Sequence, residues 1–327
     1  MRAVRHRAYG GPEVLRVENV DVPVPAADEV LIRVHAASVN PLDWHLMRGT
    51  PYLMRVQSGL AAPRDPRFGV DVAGRVESVG ARVTQFAIGD EVFGTVRGSF
   101  AEYASGSTRS LARKPASVSF EHAAAAGVAA ITALQAVRDN GRVRPGERVL
   151  VNGAAGGVGT FAVQIARWLG AEVTAVCSAR NIDLVRSLGA ARAIDYTRDD
   201  FTVGADRFDA IIDTVGGQPL RACRRVLTPR GRYVIVGGPP GRWLAPFDRA
   251  LRAAVLSRVG SQELGLVMVR ASRDDFATLA DLLGGGIVKA VVDREYALED
   301  VPAAIGYLEQ GHARGKVIVG VRQSGGA

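Results

Sequence analysis

Hydrophobic and polar positions follow two different rhythms along this chain of 327 residues. Up to residue 115 the apolar residues come in short runs, such as Glu29–His35, Gly69–Val79 and Glu91–Thr95, broken by Gly, Pro and Asp. Short strands with frequent turn signals predict a partly open β-barrel. Near Phe120 the rhythm changes. Phe120–Asn140 is rich in alanine and carries helical spacing, and Ser119 stands where an N-cap belongs. After Gly146 strand and helix patterns alternate. The predicted strands are Arg148–Asn152, Glu172–Cys177, Ala193–Asp195, Ala210–Asp213 and Arg232–Val236, and the helices between them are Gly157–Leu169, Ile182–Leu188 and Leu220–Leu227. Such alternation predicts a parallel sheet with crossover helices on both faces. Val291–Val321 then returns to a strand, a helix over Pro302–Gln310 and a final strand. The barrel needs this tail to close its sheet. The expected organisation is a barrel domain of residues 1–119, completed by 290–327, with a doubly wound domain of residues 120–289 inserted in it.

The sharpest local signal is Val149-Leu150-Val151-Asn152-Gly153-Ala154-Ala155-Gly156-Gly157-Val158-Gly159, a buried strand that runs into a glycine-rich turn and a helix. This is the dinucleotide-binding arrangement of a Rossmann domain, although Ala154 replaces the first glycine expected after it. Small residues let the backbone approach a pyrophosphate, and the helix N-terminus offers it N–H groups and a partial positive charge. Ala155, Gly156, Gly157, Val158 and Gly159 are therefore candidate cofactor contacts. An NAD site usually carries Asp or Glu at the end of the second strand. Here Ser178 stands there, with Arg180 close behind. A carboxylate would repel a 2′-phosphate, whereas a hydroxyl and a guanidinium bind one, so NADPH is the expected cofactor.

Composition narrows the alternatives. The net charge is +8, but the arginines are spread along the chain among acids, with no basic tail or run, so no nucleic-acid partner is expected. Cys177 and Cys223 make neither a disulfide framework nor a four-ligand zinc cluster. No run approaches the roughly 20 apolar residues of a membrane span. Met1–His6 lacks the apolar core of a signal peptide, so the cytoplasm is the expected location, with no membrane partner.

With these residues in view, the chain resembles the zinc-independent, quinone oxidoreductase-like branch of the medium-chain dehydrogenase/reductase superfamily. The resemblance covers nearly the whole chain and rests on several stretches in order. They include Ser38-Val39-Asn40-Pro41-Leu42-Asp43-Trp44, Gly69-Val70-Asp71-Val72-Ala73-Gly74, Ile88–Gly94, Ser99–Tyr103, Thr132–Gln135, Asp195-Tyr196-Thr197 and Gly315-Lys316-Val317. It implies an α/β fold with a Rossmann doubly wound sheet inserted in a GroES-like barrel. The zinc-dependent members of that superfamily use a cysteine and a Gly-His-Glu. The corresponding residues here are Asn40 and Gly69-Val70-Asp71, and no metal site is expected. The five histidines show no ligand spacing and read as surface or core residues.

The resemblance further implies hydride transfer from a nicotinamide to an electrophilic small molecule, a quinone or an α,β-unsaturated carbonyl compound, in the cleft between the domains. It places Asn40 near the nicotinamide ribose and substrate, Thr132 beside the nicotinamide, and Thr214-Val215-Gly216 with Gly237 and Gly238 along that half of the cofactor. It places Tyr196 near the adenosine ribose and 2′-phosphate. Trp44 and Tyr52 follow Asn40 and are candidate pocket walls, Tyr52 also a candidate proton donor, while Asp43 reads as a turn or ion-pair residue. The apolar run Gly265–Arg270 reads as a strand close to the end of the Rossmann sheet, either an edge that must be paired or an internal strand covered by a helix over Asp274–Leu283. The resemblance implies sheets joined edge to edge, so a homodimer is expected. Two other readings are an alcohol or aldehyde dehydrogenase on the same frame and a protein that binds NADPH without turnover.

Overall fold

The computed structural model describes residues 1–238, 247–258 and 260–323. The strands are β1 (Arg2–His6), β2 (Leu15–Asn19), β3 (Glu29–Val39), β4 (Asp71–Val79), β5 (Glu91–Thr95), β6 (Tyr103–Ser107) and β7 (Leu111–Arg113), then β8 (Arg148–Asn152), β9 (Glu172–Cys177), β10 (Arg192–Asp195), β11 (Phe208–Asp213), β12 (Leu227–Ile235) and β13 (Glu263–Leu266), and finally β14 (Val292–Ala297) and β15 (Lys316–Gly320).

The chain forms two compact units, Met1–Ile131 with Arg270–Ala327, and Thr132–Val269. These divisions fall inside the expected insertion of 120–289. The helix Phe120–Ala125 packs on β3 and β4, and the helix Arg273–Gly284 packs on β7, so both belong to the barrel. Each turns an apolar face to that sheet, with Ala123, Ala124 and Ala125 buried on one and Phe276, Leu279 and Leu283 on the other.

The first unit is the GroES-like barrel. Its main sheet runs in the order β14-β15-β3-β4-β5-β7, and β6 pairs with β3. The C-terminal strand β15 lies antiparallel to β3 with Val317 opposite Val39, so the tail closes the sheet as its pattern requires. Val30, Ile32 and Val34 of β3 point inward at period two and meet Val72, Val76, Val92, Phe68, Val317 and Val319 in one core.

The second unit is the doubly wound sheet, all parallel, in the order β10-β9-β8-β11-β12-β13. Its central strands read as unbroken apolar runs because helices cover both faces, and Val149, Leu150 and Val151 are fully buried. The order reverses at β8. Strands β9 and β10 lie to one side and β11 to β13 to the other, which puts the crevice for a ligand at the carboxyl ends of β8 and β11. The edge strand differs from its expected span. It ends at Leu266, and Met268 and Val269 beyond it are exposed. Among the described residues no helix is long and apolar enough to cross a membrane.

Candidate functional site

The turn after β8 is built by backbone. The N–H groups of Gly153 and Ala154 both donate to the carbonyl of Val176 at 3.1 and 3.0 Å, which ties the turn to β9. The helix Gly157–Trp168 opens at Gly156, whose extended backbone makes it the N-cap. Gly159 lies directly over the carbonyl of Gly153, and a Cβ there would fall inside that oxygen. The stretch Ala155–Gly159 therefore follows one tight path. Its first-turn N–H groups have no carbonyl inside the helix to receive them. That is a cradle for an anionic oxygen.

At the ends of β9 and β10 the register places Asp195 opposite Cys177. The next residues, Tyr196 and Ser178, are thereby neighbours, and the N–H of Tyr196 donates to the carbonyl of Cys177 at 3.1 Å. Tyr196 is 61% exposed, so its ring is an open face at this strand end. Arg180 is exposed in the short turn that follows, and Asn181 donates its side-chain amide to the Ser178 hydroxyl at 3.2 Å. The structure thus brings together Ser178, Arg180 and Tyr196. It also adds an acid that the sequence reading passed over. The Asp195 carboxylate accepts from the N–H and hydroxyl of Thr197 at 3.1 and 2.9 Å, and these bonds hold it below the usual carboxylate range.

On the other side of β8, the N–H and hydroxyl of Thr214 both donate to the carbonyl of Asn152, at 3.1 and 2.8 Å. The loop after β11 is so joined to the strand that carries the glycine-rich turn. Val215 is 48% exposed, and Gly237 and Gly238 are half-buried after β12. Thr132 is buried in the helix Val128–Leu134.

In the barrel unit, Asn40 is 2% exposed and its amide is enclosed. Its Nδ2 donates to Asp71 Oδ2 at 2.9 Å and to the Ser38 carbonyl at 3.3 Å, and its Oδ1 accepts from Lys316 Nζ at 2.6 Å. Lys316 also donates to the Val39 carbonyl at 3.1 Å and to Asp71 at 3.2 Å. Asp71 accepts further from the Ser38 hydroxyl at 2.5 Å and the Val128 N–H at 2.7 Å. Asp43 is not the turn or ion-pair residue of the sequence reading. It is the third residue of the helix Pro41–Arg48, wholly buried, and its Oδ2 accepts from the N–H of Asn40 at 2.7 Å. Burial, with the charge of Asp71 nearby, raises its pKa to about 7. Trp44 also lies on that helix, partly buried against the barrel core. Tyr52 follows the helix, with the Arg55 guanidinium 4.7 Å from its ring centre. Of the histidines, His6 is buried against Phe68, and His35 is half-buried and stacks on Phe120.

Residues 26–116 match the family model of the alcohol dehydrogenase GroES-like domain, and residues 188–319 match that of the zinc-binding dehydrogenases. The quinone oxidoreductase of Rattus norvegicus is 34% identical over 331 residues, covering 97% of this chain and 96% of its own. The solved quinone oxidoreductase from Coxiella burnetii matches with a TM-score of 0.88 at 29% identity, covering 98% of this chain and 99% of that one. The chain belongs to the medium-chain dehydrogenase/reductase superfamily, in its quinone oxidoreductase-like branch. A solved NAD-dependent alcohol dehydrogenase of that superfamily matches with a TM-score of 0.84 at 31% identity, covering 98% of this chain and all of the other.

The zinc that names one of the superfamily's models does not suit the donors found here. Val70 has no ligand atom, the Asn40 oxygen already accepts from Lys316, and both oxygens of Asp71 are engaged. The ammonium of Lys316 stands within hydrogen-bonding distance of Asn40 and Asp71, so these positions carry their own cation. Sequence reasoning quoted Lys316 only as part of a matching stretch. Its signal was a single charge at the head of the apolar run Val317-Ile318-Val319. Asp213, Tyr233 and Arg249, described below, were missed as a group because they lie on three separate elements.

Proposed function

We propose that this chain is an NADPH-dependent, zinc-free reductase that delivers a hydride to a quinone or to the β-carbon of an α,β-unsaturated carbonyl compound. The observation that carries the cofactor half is the end of β9, where Ser178 and Arg180, with Tyr196 beside them, stand in place of a carboxylate. A 2′-phosphate there meets a hydroxyl and a guanidinium, while the Asp195 carboxylate is engaged by the N–H and hydroxyl of Thr197 and by the Ala179 backbone. The Ala155–Gly159 backbone would hold NADPH, which when bound would supply the hydride, with the proton that completes the two-electron reduction coming from solvent. The barrel cluster supports the acceptor class. With the Asn40 amide tied to Lys316 and Asp71, the chain offers no Lewis acid there to draw electrons from an alcohol oxygen. An acceptor that is already electrophilic needs only to be held against the donor, and orientation can supply about 7–11 kcal/mol of the barrier.

The likeness to an NAD-dependent alcohol dehydrogenase favours a second reading, alcohol or aldehyde dehydrogenation on the same frame. One experiment separates the two. Purified protein is assayed for NADPH and NADH oxidation with quinones, enones, aldehydes and ketols, for alcohol-dependent NADP⁺ reduction, and for zinc content. Oxidation of NADPH with quinones or enones by protein free of zinc is expected. Primary-alcohol oxidation with no quinone or enone reduction would overturn the mechanism.

We further take the oligomer to be a homodimer joined at β13, which ends the described strand order with one edge unpaired and with Leu251 and Val255 exposed on the adjacent helix Phe247–Ser257. A monomer mass by light scattering at micromolar concentration would count against it.

A further inference from the structure

A second buried carboxylate lies at the end of β11, wholly within the doubly wound unit. Asp213 is fully buried, and its Oδ1 accepts from the Asn152 side-chain amide at 2.8 Å and from the N–H groups of Val215 and Gly216 at 3.1 and 2.8 Å. Its Oδ2 accepts from the Tyr233 hydroxyl and lies 3.5 Å from the Arg249 guanidinium. Arg249 donates in turn to the Tyr233 oxygen at 2.6 Å and to the Gln218 carbonyl at 2.8 Å. Tyr233 is buried in the middle of the sheet core, and burial beside Asp213 drives its pKa upward, so it stays a donor across the working pH range.

The bonds have a common object. Asp213 holds the loop after β11 at Val215 and Gly216, and Arg249 holds the same loop at Gln218. Thr214 between them is fastened to Asn152, and its carbonyl lies so close to Gly237 that a Cβ there would collide with it. Thr214–Gln218 is therefore pinned at both ends while Val215 stays open to solvent. A dinucleotide laid across the reversal at β8 has its adenosine at the ends of β9 and β10, leaving its nicotinamide half at the loops after β11 and β12.

We infer that Asp213, Tyr233 and Arg249 are positioning residues that fix the loop Thr214–Gln218 in the shape that receives the nicotinamide half of the cofactor. This rests on the cofactor reading given above. Tyr233 and Arg249 touch no cofactor in this scheme and act through Asp213 and the Gln218 carbonyl.

The test uses Tyr233→Phe, which removes a single hydroxyl, and Arg249→Met, each in the full chain. Two dissociation constants are measured for each protein, one for NADPH and one for adenosine 2′,5′-bisphosphate, which reports the adenosine half alone. Both variants are expected to bind NADPH about tenfold more weakly or worse, with bisphosphate affinity held within about twofold. A role in stability alone would move both ligands together or neither, and either result overturns the inference. Wild-type protein that binds neither ligand would refute the cofactor reading and take the inference with it. If one variant fails to fold, the other decides.

Discussion

Two buried carboxylates, Asp71 in the barrel and Asp213 in the doubly wound sheet, are built alike and placed to different ends. Each is fully buried at one end of a strand and accepts from an asparagine amide and from backbone N–H, one at Asp71 and two at Asp213. Their cations differ. Asp71 faces Lys316, 3% exposed, held by the carbonyl of Val39 and the amide of Asn40. Asp213 faces a neutral tyrosine first and an arginine at 3.5 Å second. Their other partners differ too. The Asp71 partners sit on β3, β15 and helix starts, whereas those of Asp213 include two N–H groups and, through Arg249, a carbonyl of one open loop. The same device thus stiffens a framework in one unit and pins an open loop in the other.

The largest expected effect breaks the first of these pairs. Lys316→Met leaves Asp71 charged, buried and without its cation, and removal of one partner of a buried pair costs about 3–5 kcal/mol. Denaturant unfolding should show that loss, and adding Asp71→Asn should recover much of it, because an amide needs no counter-charge. Arg249→Met should cost clearly less, since Asp213 keeps Tyr233, Asn152 and two backbone donors. Equal costs at the two sites would erase the comparison.

Asn40→Ala sharpens it. The sequence places Asn40 beside the cofactor and substrate by resemblance, while the structure shows its amide enclosed between Lys316 and Asp71. Loss of hydrogen bonds to two charged groups should cost about 2 kcal/mol of stability. Turnover per folded enzyme that falls with an unchanged melting temperature would instead return Asn40 to the substrate. Both belong on the same preparation.

What the sequence displayed and what it hid divide along the same line. The strands β8, β9 and β5 and the helix starting at Gly157 were legible because burial on both faces or strict alternation sets their composition. The glycine-rich turn was legible because close backbone approach restricts residue type locally, as Gly159 over the Gly153 carbonyl shows. Asp71, Lys316, Asp213, Tyr233 and Arg249 were not assembled beforehand, because partners far apart in the chain meet only when the sheets form. The helix Pro41–Arg48 ran past Asp43 and Trp44 without being recognised, since its capping acid reads equally well as a turn residue.

A smaller effect tests the cofactor side. Arg180→Ala should weaken NADPH about tenfold, roughly 1.4 kcal/mol, and leave NADH nearly unchanged. Equal weakening of both would assign Arg180 to the fold of the β9 end rather than to a phosphate.

The last expected effect is a pH dependence confined to the barrel. Asp43 is enclosed by its own helix and by the strand ends that carry Asp71 and Lys316, and its Oδ1 has no hydrogen-bond partner among the described residues. Its pKa rises from 3.8 to about 7, chiefly because burial penalises the charge, and secondarily because Asp71 repels it. The folded chain then holds a proton that the unfolded chain releases over the interval between those values. The stability from this group is therefore complete below the unfolded pKa and is lost as pH rises through the folded one. Asp43→Asn keeps an oxygen for the Asn40 N–H and removes the titration. Its stability curve should lack the fall between about pH 4 and 7 seen in the wild type, and at pH 8 the variant should be the more stable. The charge of Lys316 opposes the shift, so Lys316→Met should extend the fall to higher pH if the protein still folds. A wild-type curve and an Asp43→Asn curve that run parallel from pH 4 to 8 would show that Asp43 stays ionised. The buried cluster would then carry a net negative charge that Lys316 alone does not balance.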